Sequence, residues 1–204
     1  MLPFTDYAQF FIGLLAIVDP LGAIPVFLVL TAHQTAQKKQ ATLRLTVISV
    51  MAVLLVSLLL GKWILWVLGI SIDAFRFAGG LILLLMSIAM LQAKKGTALE
   101  QIEEDESVAL VPLTMPLLAG PGAISTVIVY AHQAHGFMHY GLIVGAIILV
   151  CVGLWLTLIA MPWLARHLTP KSIAMSTRVM GILLAAIAIE FMAKGLKGLF
   201  PILV

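Results

Sequence analysis

The sequence has few charged side chains, and only short polar segments separate its apolar segments. Charged residues make up 10% of the 204 residues, whereas 62% are hydrophobic, and the mean hydropathy is +1.15. A soluble globular domain has roughly 25% charged and about 45–50% apolar residues. This composition excludes an ordinary soluble domain and predicts an integral membrane protein.

The chain also lacks a second cysteine and the common sequence motifs of enzymes and nucleotide-binding proteins. Cys151 is its one cysteine, so neither an internal disulfide nor a thiolate metal cluster can form. The patterns GxSxG, HExxH, Walker A and the Rossmann fingerprint do not occur. His132, His135 and His139 could share one helical face, but the sequence around them favours interfacial histidines over a zinc site. We therefore expect no enzymatic activity, catalytic residue, cofactor or bound metal.

Six apolar segments are long enough to cross a membrane, which takes about 20 mostly apolar residues. They cover residues 7–30, 43–68, 73–92, 108–130, 140–164 and 172–199. No Lys or Arg precedes the first segment, so we expect a retained helix rather than a cleaved signal peptide. The predicted fold is an all-α integral membrane protein with six transmembrane helices.

Short matches between the two halves indicate an internal repeat. Gly22-Ala23-Ile24 falls on Gly122-Ala123-Ile124 at a shift of 100 residues. Arg76 falls on Arg178 at a shift of 102 residues. Three spans per half would turn the second copy over in the membrane, which predicts an inverted 3+3 repeat. The predicted units are a first repeat at 1–100, a cytoplasmic acidic link at 101–106 and a second repeat at 107–204.

Lysine and arginine in the short loops predict the orientation of a membrane protein. With six spans, one face collects eight of the twelve basic residues, namely Lys38, Lys39, Arg44, Lys94, Lys95, Arg166, Lys171 and Arg178. The positive-inside rule places this face and the acidic link in the cytoplasm. We therefore expect a multi-pass protein of the bacterial inner (cytoplasmic) membrane, with both termini in the periplasm.

Helix-breaking residues interrupt the first and fourth predicted spans. They are Asp19, Pro20, Gly22 and Pro25 in the first, and Gly120, Pro121 and Gly122 in the fourth, where the hydroxyls of Ser125 and Thr126 follow. Unpaired backbone groups cost several kcal/mol each in hydrocarbon, so a break is tolerated only where it is buried or lines a cavity. Two breaks in corresponding places typify the midplane site of a secondary transporter. We predict that both helices are broken and that these nine residues line a translocation path.

Asp19 is the ionisable residue nearest the middle of a predicted span. A charge there costs about 2.5–3.5 kcal/mol on an insertion scale, which favours a position facing a cavity. An aspartate before Pro20 is also a good N-cap for a half-helix. The two interpretations are compatible, because a helix N-terminus can itself face a polar path.

Three further charged residues are candidate gating or charge partners: Arg76, Arg178 and Glu190. The two arginines lie near the start of the third and sixth spans. In the functional interpretation, the arginines contact an anionic group of the substrate or gate the path. In the alternative interpretation, their side chains only extend to the membrane surface. Glu190 and Lys194 have the i,i+4 spacing that favours an ion pair. The first interpretation is that their charges neutralise each other, and the second is that the two residues are part of a relay.

The stretches around the two predicted breaks read DPLGAIPVF at residues 19–27 and PLTMPLLAGPG at residues 112–122. Both stretches resemble the MarC family, and FRFAGG at residues 75–80 fits the family as well. The resemblance covers essentially the whole chain, although the family often has asparagine at the position of Asp19. It implies an inverted 3+3 repeat in the cytoplasmic membrane, with paired broken helices at the centre. The family is also described as six-span neutral amino acid transporters.

Together these features predict a secondary transporter or exporter of small polar solutes that works by alternating access around the two breaks. The resemblance implies neutral amino acids as the solutes. The expected partners are a small-molecule substrate, a proton or Na⁺ as candidate coupling ion, and the lipid bilayer. We expect no nucleic acid, because the basic residues lie in loops and form no stripe. The alternative is a non-transporting membrane scaffold or regulatory subunit, in which the breaks are structural and the acidic link binds a partner.

Overall fold

The computed structural model describes residues 3–24, 27, 31, 34–92, 118–133, 136–167 and 170–200. Over these ranges it contains six α-helices and no strand: α1 (Phe4–Val18), α2 (Ala36–Val67), α3 (Ile72–Gln92), α4 (Pro121–His132), α5 (Phe137–His167) and α6 (Pro170–Leu199). The predicted all-α fold is confirmed for this part of the chain.

Helix α2 begins earlier than hydropathy predicts. The predicted span starts at residue 43, whereas the helix starts at Ala36, after Thr35. The Thr35 hydroxyl accepts a hydrogen bond from the backbone N–H of Lys38 at 3.4 Å, as an N-cap does. The first turns of α2 are therefore polar helix, which a search for apolar segments does not detect.

A tight turn joins α2 to α3, as the sequence predicts around residues 69–71. Gly69 has a φ of +66°, which glycine adopts without steric cost. The Ser71 hydroxyl then accepts a hydrogen bond from the N–H of Ala74 at 3.1 Å, so it caps the beginning of α3. Helix α3 therefore begins only five residues after α2 ends.

Four helices of the described part are long and apolar enough to cross a membrane. They contain the spans Ala36–Val67, Ile72–Gln92, Phe137–Met161 and Met175–Leu199. Helices α1 and α4 have 15 and 12 residues, so at 1.5 Å per residue they reach about 23 and 18 Å, less than a hydrocarbon core of about 30 Å. The acidic link and most of the chain before α4 lie outside the described residues. The six-span count and the inverted repeat therefore stay predictions.

Helices α3 and α6 form the most extensive helix pair of the described part, and they run antiparallel. Asp73, near the start of α3, lies beside Gly198, near the end of α6. Leu91, at the other end of α3, lies beside Gly181. Small residues at such contacts let two helix backbones approach closely, which is a common way of packing helices in membranes.

We expect Gly80→Ala to destabilise this pair. A Cβ at Gly80 would lie 2.8 Å from the carbonyl oxygen of Ala188 and 2.9 Å from the backbone nitrogen of Met192. Forcing the backbones apart should cost about 1–3 kcal/mol, more than the ~0.5–1 kcal/mol that alanine gains over glycine in a helix. Thermal unfolding in detergent measures the loss. Gly141→Ala in α5 is the control, since nothing lies within 4 Å of that position, and it should raise the melting temperature.

The two short helices contribute much of the buried interior of the bundle. Helix α4 packs against α1, α2, α3 and α5, and α1 also packs against α5 and α6. Helix α1 exposes Phe4 and Ile12 on its outer side, and the long helices likewise expose large apolar side chains, among them Leu59 at 72%, Leu149 at 59% and Ile182 at 61% exposure. Such surfaces suit a lipid environment, so the interior of the bundle is built around the two segments that carry the predicted breaks.

Candidate functional site

Helix α1 ends at the position where the sequence predicts the first break. Asp19 follows its last residue, with φ 43° and ψ 70° in the left-handed region, and its N–H donates to the carbonyl oxygen of Leu15 at 3.1 Å. Asp19 is the only residue other than glycine with a positive φ in the described part of the chain. Aspartate and asparagine enter this region more readily than most residues with a side chain. The residue type therefore explains why the helix ends here.

The carboxylate of Asp19 caps the turn that follows. Its Oδ1 accepts a hydrogen bond from the N–H of Gly22 at 3.1 Å, the position that an N-cap side chain reaches. A Cβ at Gly22 would collide with this carboxylate, so glycine leaves the room that the cap needs. Asp19 and Pro20 are both buried, and Pro25 lies outside the described residues. The hydrogen bond supports the predicted capping role of Asp19.

Helix α4 begins at the second predicted break. Gly120 is extended, and Pro121 occupies the first turn of the helix, where its missing N–H costs nothing. The hydroxyls of Ser125 and Thr126 both donate to the carbonyl oxygen of Gly122, at 3.0 and 2.8 Å. Both side chains are buried. Their protons are used within α4, while their oxygen lone pairs can still accept hydrogen bonds.

The structure brings the end of α1 and the beginning of α4 together. A Cβ at Gly122 would lie 3.5 Å from Cγ2 of Ile17, which is two residues before Asp19, and 2.9 Å from Cγ of Leu83 in α3. Ile17 is 5% exposed and Leu83 is fully buried. The two predicted breaks therefore meet in the interior of the bundle, with an apolar side chain of α3 against them.

A cleft of about 120 Å³ opens between α1, α4 and α6. It is lined by Gln9, Phe10, Gly13, Ile17, Thr126, Tyr130, Ile187, Glu190, Phe191 and Lys194. Its residues in α1 recur about one turn apart, so from Gln9 to Ile17 the cleft extends about 12 Å along the helix. The polar end lies near Gln9 and Lys194, and the inner end lies at Ile17 and Thr126, beside the two breaks. A cleft of this size has room for several water molecules.

One ion pair lies at the polar end of the cleft, and a second ion pair lies near the start of α3. Lys194 Nζ and Glu190 Oε1 are 3.1 Å apart, which confirms the predicted i,i+4 pair. Arg76 Nη1 and Asp73 Oδ1 are 3.9 Å apart, and the buried Nε of Arg76 has no hydrogen-bond partner in the described residues. Arg76 is also close enough to Tyr130, which lines the cleft, to interact with it electrostatically. Two of the three predicted charge partners therefore lie at or beside the cleft.

Arg178, the third predicted charge partner, is placed elsewhere. It is exposed on α6 and does not line the cleft. It lies close in sequence to Gly181, which contacts the far end of α3. The structure therefore separates Arg178 from Arg76, although the repeat places them at equivalent positions in the sequence.

His139 holds three helices together beside the cleft, a role that the sequence did not reveal. Its Nε2 lies 3.1 Å from the carbonyl oxygen of Tyr130 in α4, and its Nδ1 lies 2.8 Å from the hydroxyl of Tyr7 in α1. A carbonyl oxygen only accepts, so Nε2 carries the hydrogen and the Tyr7 hydroxyl donates to Nδ1. His139 is 1% exposed, so it lies in the packed interior of the bundle, and its predicted position at the membrane interface stays a prediction. Its partners lie far away in the chain, so no local pattern could have identified them.

A family model described as MarC family integral membrane protein matches residues 4–200 of the chain. The UPF0056 membrane protein YhcE of Escherichia coli (strain K12) is 42% identical, over 97% of this chain and 95% of its own length. A UPF0056 membrane protein of Buchnera aphidicola subsp. Schizaphis graminum is 37% identical over 100% and 97%. YvbG of Bacillus subtilis (strain 168) is 32% identical over 98% of each chain. No solved structure was found to match. The chain therefore belongs to the MarC family of integral membrane proteins, as its two interrupted stretches predicted.

Proposed function

We propose that the protein is a secondary transporter or exporter of small polar solutes that works by alternating access. The observation that carries this proposal is the cleft between α1, α4 and α6, whose inner end reaches the contact between Ile17 and Gly122. Irregular backbone at membrane depth is tolerated only where it is buried or lines a cavity. Secondary transporters use such paired irregular segments as their solute site.

The packing of the long helices supports an inverted 3+3 repeat. Helix α3 packs against α6 and α2 packs against α5, so each helix contacts its proposed counterpart in the other half. A two-fold axis in the membrane plane makes counterparts antiparallel, as α3 and α6 are. Movement of one repeat against the other would close this cleft and open a path on the opposite side.

Transport into proteoliposomes tests the proposed function. The purified protein is reconstituted, and uptake and efflux of labelled amino acids are measured with and without proton and Na⁺ gradients. Because the family resemblance implies neutral amino acids, we expect saturable transport of at least one of them, with empty liposomes as the control. If no amino acid or other small polar solute moves under any gradient, the protein is not a transporter of this class.

We also propose that both termini face the periplasm of a bacterial inner membrane. The start of α1 and the end of α6 lie at the same end of the bundle, since Gln9 and Lys194 line one cleft, and the basic loops should face the cytoplasm. A reporter fused after Val204 should report the periplasm, and one inserted within residues 94–107 should report the cytoplasm. A cytoplasmic C-terminal fusion would contradict the span count or the repeat.

A further inference from the structure

The end of α1 leaves its last backbone carbonyl groups without hydrogen-bond donors. In a continuous helix the carbonyls of residues 16–18 would accept from the N–H groups of positions 20–22. Pro20 has no N–H, and the N–H of Gly22 donates to the carboxylate of Asp19 instead. In the described part of the chain, no backbone N–H beyond the helix donates to residues 16–18. All three residues are buried, and a buried carbonyl oxygen is rarely left without a partner.

The carboxylate of Asp19, which follows these carbonyls directly, also has an oxygen without a donor. Oδ1 accepts the hydrogen bond from Gly22, whereas Oδ2 accepts none from the described residues. Asp19 is 8% exposed, and neither ion pair of the described residues includes it. A buried carboxylate without a cationic partner is strongly unfavourable, and the carbonyls at a helix C-terminus carry about half a negative charge. The first break therefore concentrates negative charge in the interior of the bundle.

The beginning of α4 provides no hydrogen bond to these oxygens. It lies beside Ile17, and the free N–H groups at a helix N-terminus attract negative charge. None of the described N–H groups of α4 donates to Asp19 or to residues 16–18, however. The oxygens at the end of α1 are therefore available to a ligand. The cleft offers a route to them, because Ile17 lines its inner end.

We infer that the end of α1 is a binding site for a small monovalent metal cation of the Na⁺ type, held by Oδ2 of Asp19 and by carbonyl oxygens of residues 16–18. Hard cations prefer oxygen ligands, and the carbonyls at the C-terminal ends of broken helices coordinate Na⁺ in transporters. One positive charge balances the one carboxylate, whereas a divalent cation would leave an uncompensated buried charge. A proton would neutralise the carboxylate but leave the carbonyl oxygens unpaired. The role of this cation as a coupling ion rests on the proposed function, whereas its binding can be measured without transport.

Thermal unfolding of the purified protein in detergent tests this inference. Na⁺ is the probe, added as NaCl, and choline chloride of equal ionic strength is the reference. A ligand that binds only the folded state raises the melting temperature as its concentration increases. We therefore expect the melting temperature to rise with added NaCl and to stay lower in choline chloride. Retention of radioactive Na⁺ in equilibrium dialysis measures the binding directly.

Substitutions at the break should weaken Na⁺ binding, and the same substitution elsewhere on α1 should not. Asp19→Asn keeps the cap but removes the charge, so the half-saturating Na⁺ concentration should rise by about tenfold or more. Pro20→Ala supplies an N–H that can bond to the carbonyl of residue 16, which should weaken binding as well. Asp6→Asn is the matched control, because Asp6 lies in the first turn of α1, at the opposite end from the break. It should bind Na⁺ as the wild type does.

The outcomes separate this inference from the proposed function. Equal melting temperatures in NaCl and choline chloride, without retained Na⁺, would overturn the site, as would an unchanged half-saturating concentration in Asp19→Asn. Stabilisation at low pH that Asp19→Asn abolishes, without any response to Na⁺, would assign a proton to Asp19 and overturn the cation site. Transport without Na⁺ binding would overturn this site and leave the transporter standing. Na⁺ binding that Asp19→Asn weakens, without any transport in proteoliposomes, would support the site and contradict the transporter.

Discussion

Replacing Asp19 by leucine is expected to destabilise the protein by about 2–3 kcal/mol and to abolish transport. The left-handed backbone at this position costs a residue such as leucine about 1–2 kcal/mol. Loss of the hydrogen bond from Gly22 N–H to Oδ1 of Asp19 should remove about 1 kcal/mol more, as for other helix caps. Thermal unfolding in detergent and solute uptake in proteoliposomes measure the two effects.

Two further substitutions at Asp19 separate the conformation from the charge. Asp19→Asn keeps both a side chain that tolerates the left-handed region and an oxygen that can cap the turn, so the variant should fold as the wild type does. Because it lacks a carboxylate, we expect the pH or ion dependence of transport to change. Asp19→Gly tolerates the left-handed backbone conformation but lacks the oxygen that caps the turn. The stability of this variant should therefore lie between those of Asp19→Asn and Asp19→Leu.

The outcome of this series decides what the carboxylate does. Equal transport by wild type and Asp19→Asn at every pH and ion gradient tested would reduce Asp19 to a helix cap. Wild-type stability of Asp19→Leu would contradict the strain assigned to this position.

Filling the cleft with Gly13→Leu is expected to reduce transport strongly while the protein still folds. No atom lies within 4 Å of a Cβ built at Gly13, so the leucine side chain can occupy the cleft without displacing its neighbours. Leucine is also a better helix former than glycine by roughly 0.5–1 kcal/mol, which should preserve or raise the melting temperature. Uptake should fall by about tenfold or more, since the added side chain lies on the proposed solute path.

Gly145→Leu in α5 is the matched control for this prediction. It is also a helical glycine with nothing within 4 Å of a built Cβ, but it does not line the cleft. Transport by this variant should equal that of the wild type. Undiminished uptake by a folded Gly13→Leu protein would show that solutes do not pass through the cleft between α1, α4 and α6.

The sequence by itself determined the membrane character of the protein, most of the long helices and the ends of two short ones. These properties are local, because about 20 consecutive apolar residues suffice to predict a span, and Asp19 and Pro121 influence their own backbone directly. The spacing of Glu190 and Lys194 likewise predicted an ion pair, since four residues place two side chains on one face of a helix.

Only the tertiary structure decided which residues share a site. Lipid and protein interior are both apolar, so hydropathy does not tell the side of a helix that faces its neighbours from the side that faces lipid. The cleft depends on α1, α4 and α6 meeting. The hydrogen bonds of His139 in α5 depend on the positions of Tyr7 in α1 and Tyr130 in α4. For the same reason the sequence could treat Arg76 and Arg178 as equivalents, whereas packing left one beside the cleft and the other on the surface.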